Sequence, residues 1–179
     1  MRFVLSTPIL KEWDRAIEAL ERCRSLSKPH ESTVRKVYAM LAGSYLERRE
    51  LETAKERLEQ GLRLYPQDPE LNFRGGILYR ELGNLAAAEL CYKVVLGGRE
   101  TGHIDSLDVS MTGYKAHHNL GLLYQEMGRL GEAEAEWRRA VTENPNFLPS
   151  WQGLAQLYGQ TRRFEDARAV EARIAELGG

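Results

Sequence analysis

The residues of this 179-residue chain best equipped for chemistry are two adjacent histidines, His117 and His118, a possible ligand set at His103, Asp105 and Asp108, and two cysteines, Cys23 and Cys91. Neighbouring helical residues point about 100° apart, so His117 and His118 cannot both face one metal ion. His103, Asp105 and Asp108 have no further ligand fixed nearby by spacing, and they read as a solvated surface loop. Cys23 and Cys91 each sit among apolar neighbours and read as small buried fillers in a reducing compartment. Glu132, Glu134 and Glu136 alternate along a helical stretch followed by Arg138 and Arg139, which makes them a compensated outer face rather than an acid–base pair. Gly75-Gly76 falls inside a helical stripe and not in a phosphate-binding loop, and no G-x-S-x-G, C-x-x-C or H-E-x-x-H string occurs. The residues therefore predict no catalytic centre, no metal and no cofactor.

The elements that carry these residues follow from an internal repeat. Tyr45, Tyr79, Tyr124 and Tyr158 are separated by 34, 45 and 34 residues, and Ala54, Ala88, Ala133 and Ala167 repeat the same intervals. A 34-residue unit thus recurs four times, with one 11-residue insertion. Within a unit, His117, Leu120, Gly121 and Tyr124 fall at i, i+3, i+4 and i+7, one stripe of a helix, here termed A. After the breaker Glu126-Met127-Gly128-Arg129, the residues Leu130, Ala133, Trp137 and Ala140 form the stripe of a second helix, B. Small residues mark the crossings: Ala42, Gly76, Gly121 and Ala155 on A helices oppose Ala54, Ala88, Ala133 and Ala167 on B helices. Their missing bulk predicts axes at the short end of about 8–10 Å. Pro66 and Pro145 end their B helices, since a proline inside a helix loses a hydrogen bond and clashes with the preceding turn.

The third copy, His117-x2-Leu120-Gly121-x2-Tyr124 followed by Ala133-x3-Trp137 and Pro145, resembles the tetratricopeptide repeat, and the other three copies share its register. The resemblance implies an all-α, right-handed α-solenoid of helix-turn-helix repeats that binds a protein or peptide. The layout it suggests is an N-terminal half-repeat or cap over 1–34, repeats one and two over 35–102, an inserted loop over 103–113, and repeats three and four over 114–179, ending in a capping helix. A narrower likeness lies in Gly113–Gly121, Glu132–Ala140 and Pro145–Trp151, which look like the repeat region following the catalytic domain of certain bacterial family 2 glycosyltransferases. That likeness implies the alternative of an acceptor-recognition or oligomerisation segment, without the D-x-D motif of the enzyme itself.

The ends depart from the pattern. Residues 9–27 carry Trp13, Ala16, Leu20 and Cys23 at B-helix spacing, with Ala16 lying 38 residues before Ala54. The apolar residues of segment 3–17 lack an assigned partner, which predicts self-association or docking of a further domain there, with a fold-back of residues 1–8 as the competing solution. At the other end Glu171 replaces Leu58, Tyr92 and Trp137, as suits a helix with solvent on its outer side. Gly97 and Gly98 are expected to stop the second B helix before the insertion. A net charge of −1 and a pI near 6.5 argue against nucleic acid and anionic membrane as partners. No apolar run reaches the ~18–20 residues of a membrane span, and the start does not read as a secretory signal, so a cytoplasmic location is expected.

A stack of helix pairs offers a concave groove lined by A helices. The side of each A helix away from its core stripe supplies the candidate binding residues: Lys36, Leu46, Phe73, Arg74, Ile77, Arg80, Lys115, His118, Asn119, Leu122, Gln125, Gln152 and Gln156. Lysines and arginines bring positive charge, Phe73, Ile77 and Leu122 an apolar floor, and the last helix amides, so an extended or helical peptide with apolar anchors and some acids would fit. His117 takes the packing position of Tyr38 and Trp151, and is expected in the core. Some tetratricopeptide domains clamp the C-terminal carboxylate of chaperones. Here Ala39 and Gly43 occupy the first-copy positions and only Lys115 matches, so that clamp is not expected.

Overall fold

The 34-residue period becomes a series of helix-turn-helix pairs. The computed structural model describes residues 7–26, 32–100 and 113–178, and every regular element among them is an α-helix. In order they are α1 (Thr7–Leu26), α2 (Ser32–Glu47), α3 (Leu51–Leu64), α4 (Pro69–Glu81), α5 (Leu85–Glu100), α6 (Tyr114–Glu126), α7 (Leu130–Glu143), α8 (Leu148–Gln160) and α9 (Phe164–Gly178). The A helices are α2, α4, α6 and α8, and each is followed by a B helix across a tight turn. One residue in each turn adopts the left-handed backbone: Arg49 (φ 62°), Gly83 (φ 75°), Gly128 (φ 73°) and Arg162 (φ 58°). Only two of these four equivalent positions hold the glycine that such a φ favours. The B helices α3 and α7 end at Leu64 and Glu143, each just ahead of its proline.

Each A helix packs on the B helix of its own pair, each B helix packs on the next A helix, and successive A helices touch one another. This is an all-α solenoid of tetratricopeptide type. The crossing alanines Ala54, Ala88 and Ala133 are fully buried. Trp137 shows how the pairs are joined. Its ring is 0% exposed and lies between two A helices: a Cβ built on Gly121 of α6 would stand 2.5 Å from its Nε1, and one built on Gly153 of α8 would stand 2.7 Å from its Cε2. Gly76 makes the same room for Tyr92, whose Cζ would meet a Cβ at 2.4 Å. The small A-helix residues therefore admit the large aromatic of the B helix rather than merely facing its alanine. Aromatic bulk and missing side chain together produce the close packing of a protein interior.

Three expectations change. The N-terminal helix is in the 34-residue register after all: Ile17 and Leu20 precede Leu51 and Ala54 by that interval, and they, not Ala16, pack against Val37, Leu41 and Tyr45 of α2. Ala16 and Cys23 are exposed, so Cys23 is not a buried filler, whereas Cys91 is buried. Alanine at the wrong phase misled the alignment, because Leu20 fills the alanine position. Gly97 and Gly98 do not stop α5, which continues to Glu100. A glycine inside a helix costs only about 1 kcal/mol, too little to end a well-packed one. The insertion residues His103, Asp105 and Asp108, and the N-terminal Phe3, Val4 and Leu5, lie outside the described residues. So does the fold-back expected of residues 1–8, for all but its last two residues.

Candidate peptide-binding surface

Because α2, α4, α6 and α8 touch in succession, the sides they turn away from the B helices join into one surface. Most of the anticipated residues lie there exposed or half-buried. Lys36, Gln152 and Gln156 are exposed, while Leu46, Arg74, Ile77, Arg80, Lys115, His118, Asn119, Leu122 and Gln125 are half-buried. Phe73 is the exception, for it is 7% exposed and presents its ring to Tyr92 edge-on at 6.1 Å, so it belongs to the core beneath the surface rather than to its floor. Met40, not anticipated, is 50% exposed one turn from Lys36 and adds an apolar side chain in its place. The helical spacing of Lys36, Met40 and Gly43 carried that signal.

The positive charge expected of this surface is largely answered from within it. Arg80 Nε donates to both carboxylate oxygens of Glu126, at 3.0 and 3.1 Å, tying α4 to α6. Arg74 lies over Gly43, where a Cβ would stand 2.8 Å from its Nη1, and its Nη2 is 3.9 Å from Glu70. Its Nε is buried, and no acceptor among the described residues reaches it. Arg49 pairs with Glu81 across the ends of α2 and α4. Lys36 and Lys115 therefore carry more of the net positive character than Arg74 and Arg80 do.

His118 stands over the junction of α6 and α8. Its Nδ1 is 3.0 Å from Ser150 Oγ, its ring meets Phe147 edge-on at 5.2 Å, and its carbonyl accepts from Trp137 Nε1 at 3.2 Å. Burial, with a smaller contribution from the Arg80 charge, pushes the imidazole down to about 4. A serine beside a histidine is the start of a nucleophilic site. Ser150 is 0% exposed, however, and no substrate atom can reach it, so the pair fastens two helices. His117 is turned the other way, with Nδ1 2.6 Å from Glu136 Oε2, and Glu136 is itself buried and paired with Arg139. Among the described residues no three His, Cys, Asp or Glu side chains converge as a metal site, and no helix is long and apolar enough to cross a membrane.

Behind the surface, half-buried carboxylates hold the repeats in register. Glu89 of α5 accepts from Tyr124 Oη at 3.1 Å and from Arg129 Nη1 at 2.8 Å, with the Arg129 guanidinium 4.2 Å from the Tyr124 ring centre. One repeat on, Glu134 of α7 accepts from Tyr158 Oη at 2.9 Å and Arg163 Nη1 at 2.6 Å, with the guanidinium 4.4 Å from the ring centre. Glu21 of α1 accepts from Tyr45 Oη at 3.4 Å and Arg57 Nε at 2.5 Å. Each staple joins a B helix to the next A helix and to the turn or helix that follows it. At the second repeat Lys55 stands where the carboxylate belongs, and Tyr79 Oη donates to Glu59 instead, at 3.5 Å. Burial alone would raise the Glu89 carboxyl, but hydrogen bonds from Lys93, Arg129 and Tyr124 outweigh it and hold the group at about 2.

The architecture and its surface define a class, the helix-turn-helix repeat arrays. The chain carries a tetratricopeptide-repeat domain: profiles described as tetratricopeptide repeat match residues 39–102 and 114–147. Human tetratricopeptide repeat protein 7A is 25% identical over 126 residues, covering 70% of this chain, while the match spans only 13% of that protein. Among solved structures, MamA superposes with a TM-score of 0.77 at 17% identity, over 99% of this chain and 95% of MamA. PilW, described as a widely conserved type IV pilus biogenesis factor, superposes with a TM-score of 0.76 at 20% identity, over 93% of this chain and 70% of PilW. At these identities the likeness is one of fold.

Proposed function

We propose that the chain is a non-catalytic scaffold that binds a polypeptide segment along the joined faces of α2, α4, α6 and α8. The reading is carried by the contact of successive A helices, which makes their free faces continuous. Apolar side chains recur along it at Met40, Leu46, Ile77 and Leu122, and amide side chains follow at Gln125, Gln152 and Gln156. Since Arg80 is matched by Glu126 and Arg74 lies near Glu70, the ligand is read through apolar anchors and backbone hydrogen bonds, with a lesser electrostatic share from Lys36 and Lys115. A photo-crosslinking residue at Met40 would capture the ligand, and capture should fail in an Ile77→Asp, Leu122→Asp variant that melts like the parent. Undiminished capture by that variant would refute the groove. The glycosyltransferase alternative rests on the strings Gly113–Gly121, Glu132–Ala140 and Pro145–Trp151 alone, and a catalytic domain encoded ahead of Met1 would favour it.

A further inference from the structure

We infer, on the basis of the groove proposed above, that the cleft between the C-terminal ends of α2 and α4 takes an arginine side chain of the bound polypeptide, its stem on Leu46 and Ile77 and its guanidinium on Glu47. The cleft measures ≈ 180 Å³ and is lined, among the described residues, by Leu46, Glu47, Arg49, Ile77 and Glu81. Leu46 and Ile77 are half-buried and give it an apolar floor, while Glu47, Arg49 and Glu81 are exposed at its rim. An apolar floor with a carboxylate at its edge matches a side chain that lays its methylene stem on apolar surface and keeps its charged head outside.

The chain itself shows what answers a carboxylate at this place. Glu47, Glu81 and Glu126 are the last residues of α2, α4 and α6, at intervals of 34 and 45 residues, and so hold one register position in three successive repeats. Glu81 is met by Arg49 of the turn after α2, and Glu126 by Arg80 of α4, whose Nε donates to both carboxylate oxygens. Each of these two acids is thus gripped by an arginine of the preceding repeat. Glu47 is not. Arg48 pairs with Asp14 and Glu50, Arg49 is taken by Glu81, and among the described residues no cation pairs with Glu47. α2 also lacks a basic residue in its last turn, so the Glu47 charge adds to the partial negative charge that unpaired carbonyl groups place at a helix C-terminus. A cation is drawn by both, and the planar fork of arginine pairs with a carboxylate through two parallel hydrogen bonds where lysine offers a point charge. Lys36 lies eleven residues back on α2, about 16 Å away at the helical rise. An acid of the ligand at that edge and an arginine at this one therefore fit the same groove.

The probe is a phage-displayed library of random dodecapeptides selected on the whole protein. Peptides recovered on the parent should share apolar residues and one arginine, and those recovered on Glu47→Gln should keep the apolar residues and lose the arginine. The strongest parent peptide, labelled with fluorescein, should bind Glu47→Gln about fivefold more weakly than the parent. Its version with glutamine in place of the arginine should bind the two proteins alike, and Glu171→Gln, an exposed change on α9, should leave all affinities unchanged. Parent peptides with apolar residues but no shared arginine overturn the inference and leave the groove standing, as does an affinity that Glu47→Gln does not lower. Recovery of no peptide, or binding that survives in the Ile77→Asp, Leu122→Asp variant, overturns the groove and its cleft together.

Discussion

Trp137 is the residue on which the third and fourth repeats both depend, and it tolerates no heavier neighbour. A Cβ at Gly121 would stand 2.5 Å from a ring that cannot move aside, because Gly153 closes its other face. Gly121→Ala should therefore destabilise by about 1–3 kcal/mol as overpacking, and Trp137→Ala by about 3–5 kcal/mol as a cavity, both read as lower midpoints in urea. Two titrating side chains contribute most visibly to acid sensitivity. Glu89 is held at about 2 against an ordinary 4.5, so the stability it contributes is complete above 4.5 and is lost as pH falls toward 2. His118 is displaced from 6.5 to about 4, and its native form resists the proton that the unfolded chain accepts. Stability should thus fall as pH drops from 6.5 to 4, and His118→Gln should flatten that part of the melting-temperature profile while Glu89→Gln flattens the part below 4.5. A profile unchanged in both variants would refute the two assignments.

The elements repeat more faithfully than the residues do, and that determines what could be read in advance. The A and B stripes are legible because burial of one face imposes a 3.6-residue period, and the small crossing residues announce themselves by type. The tyrosine–carboxylate–arginine staples are not legible, since Glu89 and Tyr124 lie far apart in the chain and surface-type residues give no sign that they are half-buried. Phe73, expected on the surface, lies in the core, and Met40, of which nothing was expected, is exposed, because helix phase alone does not tell which neighbour reaches over a position. The turn residues carry their own test. Arg162 adopts φ 58° where Gly83 and Gly128 stand in other copies. A left-handed non-glycine costs about 1–2 kcal/mol, part of which glycine's greater freedom in the unfolded chain returns. Arg162→Gly should raise the melting temperature slightly, and a lowered one would show that the arginine side chain stabilises the turn.

At the scale of the whole molecule, two apolar clusters divide the array. One gathers α2, α3 and α4 around Leu58 and Leu71, the other runs from Phe73 of α4 through Trp137 to Val170 of α9, and Tyr79 packs against both. Among the described residues, α1 is held by the small apolar cluster of Ile17 and Leu20 with α2 and by polar ties from Glu21 to Tyr45 and Arg57 and from Asp14 to Arg48. Hydrogen exchange should accordingly be slowest at the amides of α6, α7 and α8 and fastest in α1. Uniform protection from α1 to α9 would contradict this order. The staples are not evenly spaced along the array either. Among the described residues three joints carry a carboxylate that grips both tyrosine and arginine, and at the joint where Lys55 replaces it Glu59 reaches the tyrosine alone, at 3.5 Å. Under bending load the array is a beam with one compliant section. Its pitch should be rigid from α5 onward, and the widening needed to admit a bulky side chain is concentrated between α3 and α4, beside Leu46 and Ile77.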